Sequence, residues 1–238
     1  MAAPLIEFRS VDRARGDGFR LNIARFTLGA GERVAIVGPS GAGKSTCLDL
    51  IAMSLKPDTA GEMTVTDEDG RAADVAALWR RDDRGRIRAL RARRFGYVLQ
   101  TGGLAPFLSL HENAMLSRRL LGMAGAGPVP ALFERLGIAD LARRKPRHVS
   151  IGERQRAAVV RALAHEPALV LADEPTASLD PANAAEVMAL LTGTASDAGA
   201  ALILVTHDRE LAAAFGLPLA ECRPDPATRV STIAHGAP

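Results

Sequence analysis

Aromatic residues are scarce in this chain of 238 residues: they make up 4%, with a single Trp and a single Tyr. Hydrophobic residues still reach 47%, so any core must be built from aliphatic side chains. Cysteine is almost missing. Cys47 and Cys222 form no metal-ligand spacing, which speaks against a zinc module, and they read as small buried side chains of a protein in a reducing cytosol. No apolar run approaches the roughly 18 residues that cross a bilayer. The opening MAAPLIEF has neither the basic segment nor the apolar stretch of an export signal, so the chain is expected not to span a membrane by itself. A strong charge of one sign is also missing. The net charge of +3 argues against a dedicated nucleic-acid binder, and no nucleic-acid partner is expected. Arginines do crowd between Arg80 and Arg94, but Asp82 and Asp83 interrupt them, and the run reads as a solvated helix face.

What the chain does contain is a recurring alternation. Short apolar runs bounded by turn residues appear at ERVAIVG (32–38), FGYVLQ (95–100), ALVLADE (168–174) and ALILVTHD (201–208). Continuous Val, Ile and Leu without alternation suit strands covered on both faces, as in a parallel sheet. Helical patterns lie between them, at STCLDLIAMSL (45–55) and GERQRAAVVRALAHE (152–166). The second keeps Ala158, Arg161, Ala162 and His165 at helical spacing and stops before Pro167. Strands alternating with helices imply an α/β fold with a mainly parallel sheet. From about Leu104 to Ala164 the character changes to helical patterning broken by MAGAGPVP (123–130), with no strand candidate. This reads as a helical subdomain inserted between two strands of one domain, with residues 1–100 and 165–215 as its core and 101–164 as the insert. The stretch 216–238 carries Pro218, Pro224 and Pro226 and is expected to be a loosely structured tail.

Between the first apolar run and the first helix lies GPSGAGKS (38–45), which fits G-x-x-x-x-G-K-[ST] in full. The residues are Gly38, Pro39, Ser40, Gly41, Ala42, Gly43, Lys44 and Ser45, with Thr46 opening the helix. Glycines let the backbone turn tightly so that successive N–H groups point at phosphate oxygens. Lys44 is placed to reach the β- and γ-phosphates of a nucleotide, and Ser45 to bind Mg²⁺, with the helix N-terminus adding a favourable field. The run ALVLADE ends in Asp173 and Glu174, carboxylates suited to holding Mg²⁺ and to activating a water. Taken alone, such a pair is as often a helix cap. VSIGERQR (149–156) is equally ambiguous by itself, since a polar start to an amphipathic helix would look the same.

The order of the remaining pieces separates these readings. Gln100 closes an apolar strand, VSIGERQR follows roughly fifty residues on, and LADEP (171–175), SLD (178–180) and VTHD (205–208) come after it. This set, from about Leu5 to Leu211, resembles the nucleotide-binding subunit of ABC transporters. The resemblance implies a P-loop NTPase core with a mainly parallel sheet, an N-terminal antiparallel β portion and the inserted helical subdomain. It implies ATP and Mg²⁺ as cofactors and an ATP-dependent homodimer in which each ATP lies between the P-loop of one chain and the signature of the other. VSIGERQR matches that signature, so Ser150, Gly152 and Glu153 would meet the partner's nucleotide. Ile151 stands where the family usually has Gly, and Glu153 where Gln is usual. A β-branched residue resists positive φ, so the backbone at Ile151 is expected to lie in an ordinary region.

By the same resemblance Gln100 is the Q-loop glutamine, touching Mg²⁺ and the attacking water near the permease contact. Asp173 is the Mg²⁺ carboxylate, Glu174 the catalytic one, Asp180 the D-loop aspartate and His207 the switch histidine. His111, His148, His165 and His235 match nothing and are expected on the surface or in packing. At the adenine position, where the family carries an aromatic residue, stands Arg15, with Phe19 four residues on in GDGF. Within the superfamily, FGYVLQTGGLAPFLSLHENAML (95–116) is similar to the lipoprotein-releasing, macrolide-exporting and cell-division ATPases. The expected partner is an integral membrane permease, the expected place the cytoplasmic face of the membrane. A soluble ABC ATPase acting on DNA or ribosomes is the alternative, but that class carries a long coiled coil or two ATPase domains in one chain. A small-molecule P-loop kinase would need neither signature nor switch histidine.

Overall fold

The computed structural model describes residues 3–16 and 18–236. The chain runs β1 (Ile6–Ala14), β2 (Arg20–Leu28), β3 (Arg33–Val37), α1 (Lys44–Ile51), β4 (Thr59–Thr66), β5 (Ala72–Asp74), α2 (Val75–Arg80), α3 (Arg84–Arg94) and β6 (Phe95–Val98). It continues with α4 (Leu110–Leu120), α5 (Val129–Arg135), α6 (Ile151–Leu163), β7 (Leu169–Asp173), α7 (Pro181–Asp197), β8 (Ala201–Thr206), α8 (Arg209–Ala214), β9 (Leu219–Glu221), β10 (Arg223–Asp225) and β11 (Val230–His235).

The four apolar runs become β3, β6, β7 and β8, which lie in a five-stranded sheet of order β6-β7-β8-β3-β9, parallel throughout. Their continuous hydrophobicity has a direct cause: every residue of β8 is buried. Ala201, Ile203 and Val205 point into one core with Phe8, Phe26, Ile36, Leu48 and Leu171. Leu202 and Leu204 point into a second core with Val37, Leu110, Phe133 and Val160. Side chains on a strand alternate between faces, so a strand covered on both sides must be apolar at every position. The second sheet, of order β10-β11-β2-β1-β4-β5, is antiparallel apart from the β11–β2 pair.

Between β6 and β7 the chain is helical, as its pattern predicts. Two of its helices open with a Ser-x-x-Glu capping box, Ser109 with Glu112 on α4 and Ser150 with Glu153 on α6. The arginine run forms the end of α2 and all of α3, which buries Ile87 and Leu90 and leaves Arg84, Arg86, Arg88 and Arg93 exposed. The histidines outside the motifs take packing or surface places: His165 is buried, His148 is exposed, and His111 and His235 lie beside the rings of Phe133 and Phe26.

One expectation is corrected. The stretch after Gly216 is no loose tail but forms β9, β10 and β11, and β9 extends the parallel sheet beside β3. Its prolines mislead because none is asked for a ladder N–H. Pro218 precedes β9 and contributes its carbonyl to Ala35 N–H, while Pro224 lies on the edge strand β10.

Candidate active site

The turn between β3 and α1 is GPSGAGKS. Gly43 holds it at φ 93°, in the left-handed region, and a Cβ there would come within 2.9 Å of the Phe19 ring. Glycine alone meets both demands. Pro39, Ser40 and Gly41 form the exposed outer arc of the loop, and Ala42, Gly43 and Lys44 its buried inner side. Lys44 is only 6% exposed, and its Nζ donates to the carbonyl oxygens of Gly38 and Pro39, each at 3.0 Å. Burying the ammonium inside its own loop, with carbonyls around it, keeps the positive charge at the centre of the turn. Thr46 is half-buried in the first turn of α1.

Strands β7 and β8 end beside this loop. Ser45 Oγ donates to Asp173 Oδ1 at 3.2 Å. Burial pushes the Asp173 carboxyl above its ordinary pKa, with the Ser45 hydrogen bond opposing that rise. Glu174 has one carboxylate oxygen 3.8 Å from Lys44 Nζ and the other 3.1 Å from His207 Nδ1. Its backbone sits at φ 44°, and its N–H donates to Val205 O at 2.9 Å. A left-handed glutamate costs energy that the surrounding hydrogen bonds must offset. Lys44, Ser45, Asp173, Glu174 and His207 therefore converge at the C-terminal ends of three neighbouring parallel strands, where open α/β sheets bind ligands. Ser45 and Asp173 together offer two hard oxygen donors, which suit Mg²⁺. Among the described residues no group of three or more His, Cys, Asp or Glu could cage a metal, so such an ion would complete its shell from phosphates and water.

The other predicted residues bond to different partners. Ser150 is the N-cap of α6, its Oγ accepting from Glu153 N–H, while the Glu153 carboxylate accepts from Ser150 N–H at 2.6 Å. That backbone bond holds the Glu153 carboxyl below its ordinary pKa. Ile151 is the first helical residue, and neither it nor Gly152 has positive φ, so a β-branched side chain meets no strain there. Ile151 is 47% exposed. Gly152 faces Asn183, whose Nδ2 donates to Asp180 Oδ2 at 2.6 Å. Asp180 caps α7, and the Asn183 side chain draws its carboxyl pKa down. Gln100 is exposed just after β6 and lines a small hollow of about 180 Å³ with Ile151, Gln155 and Ser178. Among the described residues no hydrogen bond or ion pair joins Ser150, Gly152, Glu153 or Asp180 to the Lys44–Glu174 group.

Two residues escaped the sequence reading. Gln155 is 3% exposed, and its Nε2 donates to Gln100 O at 2.9 Å and Pro175 O at 2.7 Å. Arg161 donates to the carbonyls of Gly103, Gly102 and Tyr97. A signal was available: Gln155 stands three residues before Ala158 on the apolar stripe of α6, where a polar side chain must find buried partners. Arg15 is exposed, its N–H closing the β1–β2 turn onto Phe19 O, whereas Phe19 is half-buried against the core and Gly43.

The chain belongs to the ABC transporter family, whose model matches residues 21–177, and it is an ATP-binding domain of that family. Two relatives differ in how much of their length the chain spans. Over 221 residues, 90% of this chain, it is 39% identical to the pyoverdine export ATP-binding/permease protein PvdT of Pseudomonas fluorescens, but it spans only 32% of that relative's length. Over 185 residues it is 38% identical to the lipoprotein-releasing system ATP-binding protein LolD of Legionella pneumophila, covering 76% of this chain and 77% of LolD. A solved structure of the dimeric bacterial ABC transporter cassette MJ0796 superposes with a TM-score of 0.71 at 29% identity, covering 91% of this chain and 93% of that one.

Proposed function

We propose that this chain is the ATP-hydrolysing component of an ABC transporter, and that ATP drives two copies of it together to move a separate membrane permease. The observation that carries the reading is the convergence of Lys44, Ser45, Asp173, Glu174 and His207 on one loop, with Ser150 capping α6 and bonded to none of them among the described residues. A catalytic half that no bond joins to the signature half within the chain suits completion by a second copy. The MJ0796 cassette is described as a dimer, and also in a post-hydrolysis state with ADP and phosphate, which supports the same arrangement here.

In this reading the loop N–H groups of residues 38–45 and Lys44 hold the β- and γ-phosphates. Ser45 and Asp173 hold Mg²⁺, which when bound neutralises phosphate charge. Glu174 takes a proton from the attacking water as its oxygen bonds to the γ-phosphorus and ADP departs. His207 fixes the Glu174 carboxylate, and Gln100 reaches the same water. Ser150 and the Gly152 N–H meet the partner copy's γ-phosphate, with the positive end of α6 behind them.

The permease partner is supported by a groove of about 540 Å³ beside Gln100, lined by Leu99, Leu116, Leu120, Tyr97 and Arg91. Leu99, Leu116 and Leu120 are exposed there, apolar surface that suits a cytoplasmic segment of a membrane protein. No helix among the described residues is long and apolar enough to cross a membrane. A peripheral place at the cytoplasmic face follows from the permease, and export or lipoprotein release is the class of work its relatives' names suggest. Phosphate release from Mg·ATP tests the catalytic part: the chain should turn over ATP, and Lys44→Ala should stop it. Turnover that survives Lys44→Ala would contradict the assignment.

A further inference from the structure

We infer that Gln155 is a positioning residue that locks the Gln100 loop and the Glu174–Pro175 turn to the signature helix, so that engagement of the partner's ATP at Ser150 is felt at this chain's own catalytic carboxylate. The inference rests on the dimer reading above.

One side-chain nitrogen makes the link. Gln155 Nε2 has two hydrogens and gives them to Gln100 O at 2.9 Å and Pro175 O at 2.7 Å, with Leu99 O further away at 3.4 Å. The first carbonyl belongs to the residue placed on the attacking water. The second belongs to the residue directly after Glu174, whose backbone is already held at φ 44°. The donor itself stands on α6, in the second turn from the Ser150 cap. A helix is stiff over such a short span, so a shift at Ser150 carries Gln155 with it.

The loop is built to follow. It closes on itself through Gly102 N–H to Leu99 O at 2.8 Å. Gly102 sits at φ +74°, and a Cβ there would lie 3.1 Å from Gln155 Oε1, so the missing side chain leaves room for the amide. Further along α6, Arg161 bonds the carbonyls of Tyr97, Gly102 and Gly103. Burial lowers the Arg161 pKa, as expected for a guanidinium withdrawn from water onto carbonyls. The Gln100 loop is thus tied to α6 at both ends, whereas among the described residues Gln155 is the one side chain of α6 bonded to the Glu174–Pro175 turn. Because buried amide bonds to backbone are costly to leave unmade, these contacts move as a unit rather than stretch. Two sites that bias one rigid element are coupled in both directions.

Gln155→Met keeps the volume and removes both donors. It should leave the Kd of monomeric chain for Mg·ATP within about twofold while lowering kcat at least tenfold. In the Glu174→Gln background, hydrogen exchange on adding Mg·ATP should show protection of 150–156 gained together with protection of 99–103 and 175–177. With Gln155→Met added, protection at 150–156 should remain and that of the two loops should be lost. Unchanged kcat, or a kcat loss matched by an equal loss of ATP affinity, would reduce Gln155 to a packing residue and overturn the inference. If Gln155→Met does not fold, the exchange pattern of the Glu174→Gln chain decides alone: α6 protected while the loops stay unchanged overturns it. Size-exclusion chromatography of the same samples separates the two readings. With no ATP-driven dimer the dimer reading fails and takes the inference with it, whereas a dimer with unmoved loops sinks only the inference.

Discussion

The Glu174 carboxylate lies 3.1 Å from His207 Nδ1, across the ends of the neighbouring strands β7 and β8. The imidazole fixes one oxygen of the carboxylate, leaving the other near Lys44. Removing it should free Glu174 to rotate away from the attacking water. His207→Ala is expected to lower kcat by about a hundredfold, within the usual range for a positioned acid–base pair, and to leave the Kd for Mg·ATP nearly unchanged. Steady-state turnover with equilibrium binding checks this, and a His207→Ala chain of ordinary kcat would remove His207 from the site.

The base of ATP has two candidate partners, and the structure distinguishes their costs. Phe19 packs against Gly43 and the core, while Arg15 is exposed. Stacking on a base is worth about 1–3 kcal/mol, so losing it should weaken ATP binding about tenfold. Phe19→Ala should in addition lower stability, because it empties space beneath the phosphate loop. Arg15→Ala should leave stability alone. Discrimination between ATP and GTP should be weak, since stacking does not read base edges. Competition binding on both variants decides it: unchanged ATP affinity in each would mean that neither side chain touches the base.

Stability should depend on pH through His165. Burial holds its pKa below the ordinary 6.5, and its Nε2 lies 3.0 Å from Phe95 O. The unfolded chain binds a proton near pH 6.5 while the folded chain still refuses it. The stabilisation is therefore complete above that value and declines as pH falls towards the depressed folded pKa, below which no further loss arises from this group. His165→Gln should lose less stability than the parent between about pH 7.5 and pH 5.5 in denaturant melts. Equal losses would exclude His165 as the cause.

How much of this was legible in the sequence depends on which interactions a linear pattern records. The buried strands were, because two-sided burial writes an unbroken apolar run, as at Leu202, Ile203, Leu204 and Val205. The turn of residues 38–45 between β3 and α1 was, because its geometry needs glycine at Gly43 and it folds around Lys44. The strands after Gly216 were not, since β9 and β10 are only three residues each and their prolines resemble those of a loop. Gln155 was hidden because its value comes from carbonyls twenty and more positions away, at Pro175 and Gln100. The departure at Ile151 brings no backbone strain, for a local reason: the first turn of α6 needs no positive φ.

The central claim is that Ser150 serves the nucleotide of a second copy, and one chromatographic measurement addresses it. Glu174→Gln should bind Mg·ATP, lose nearly all hydrolysis because an amide cannot take the proton of water, and run as a dimer in size-exclusion chromatography with ATP. Adding Ser150→Arg to that chain should leave ATP bound and return it to the monomer position. A Glu174→Gln chain that binds ATP yet stays monomeric, or a double variant that still dimerises, would contradict the account.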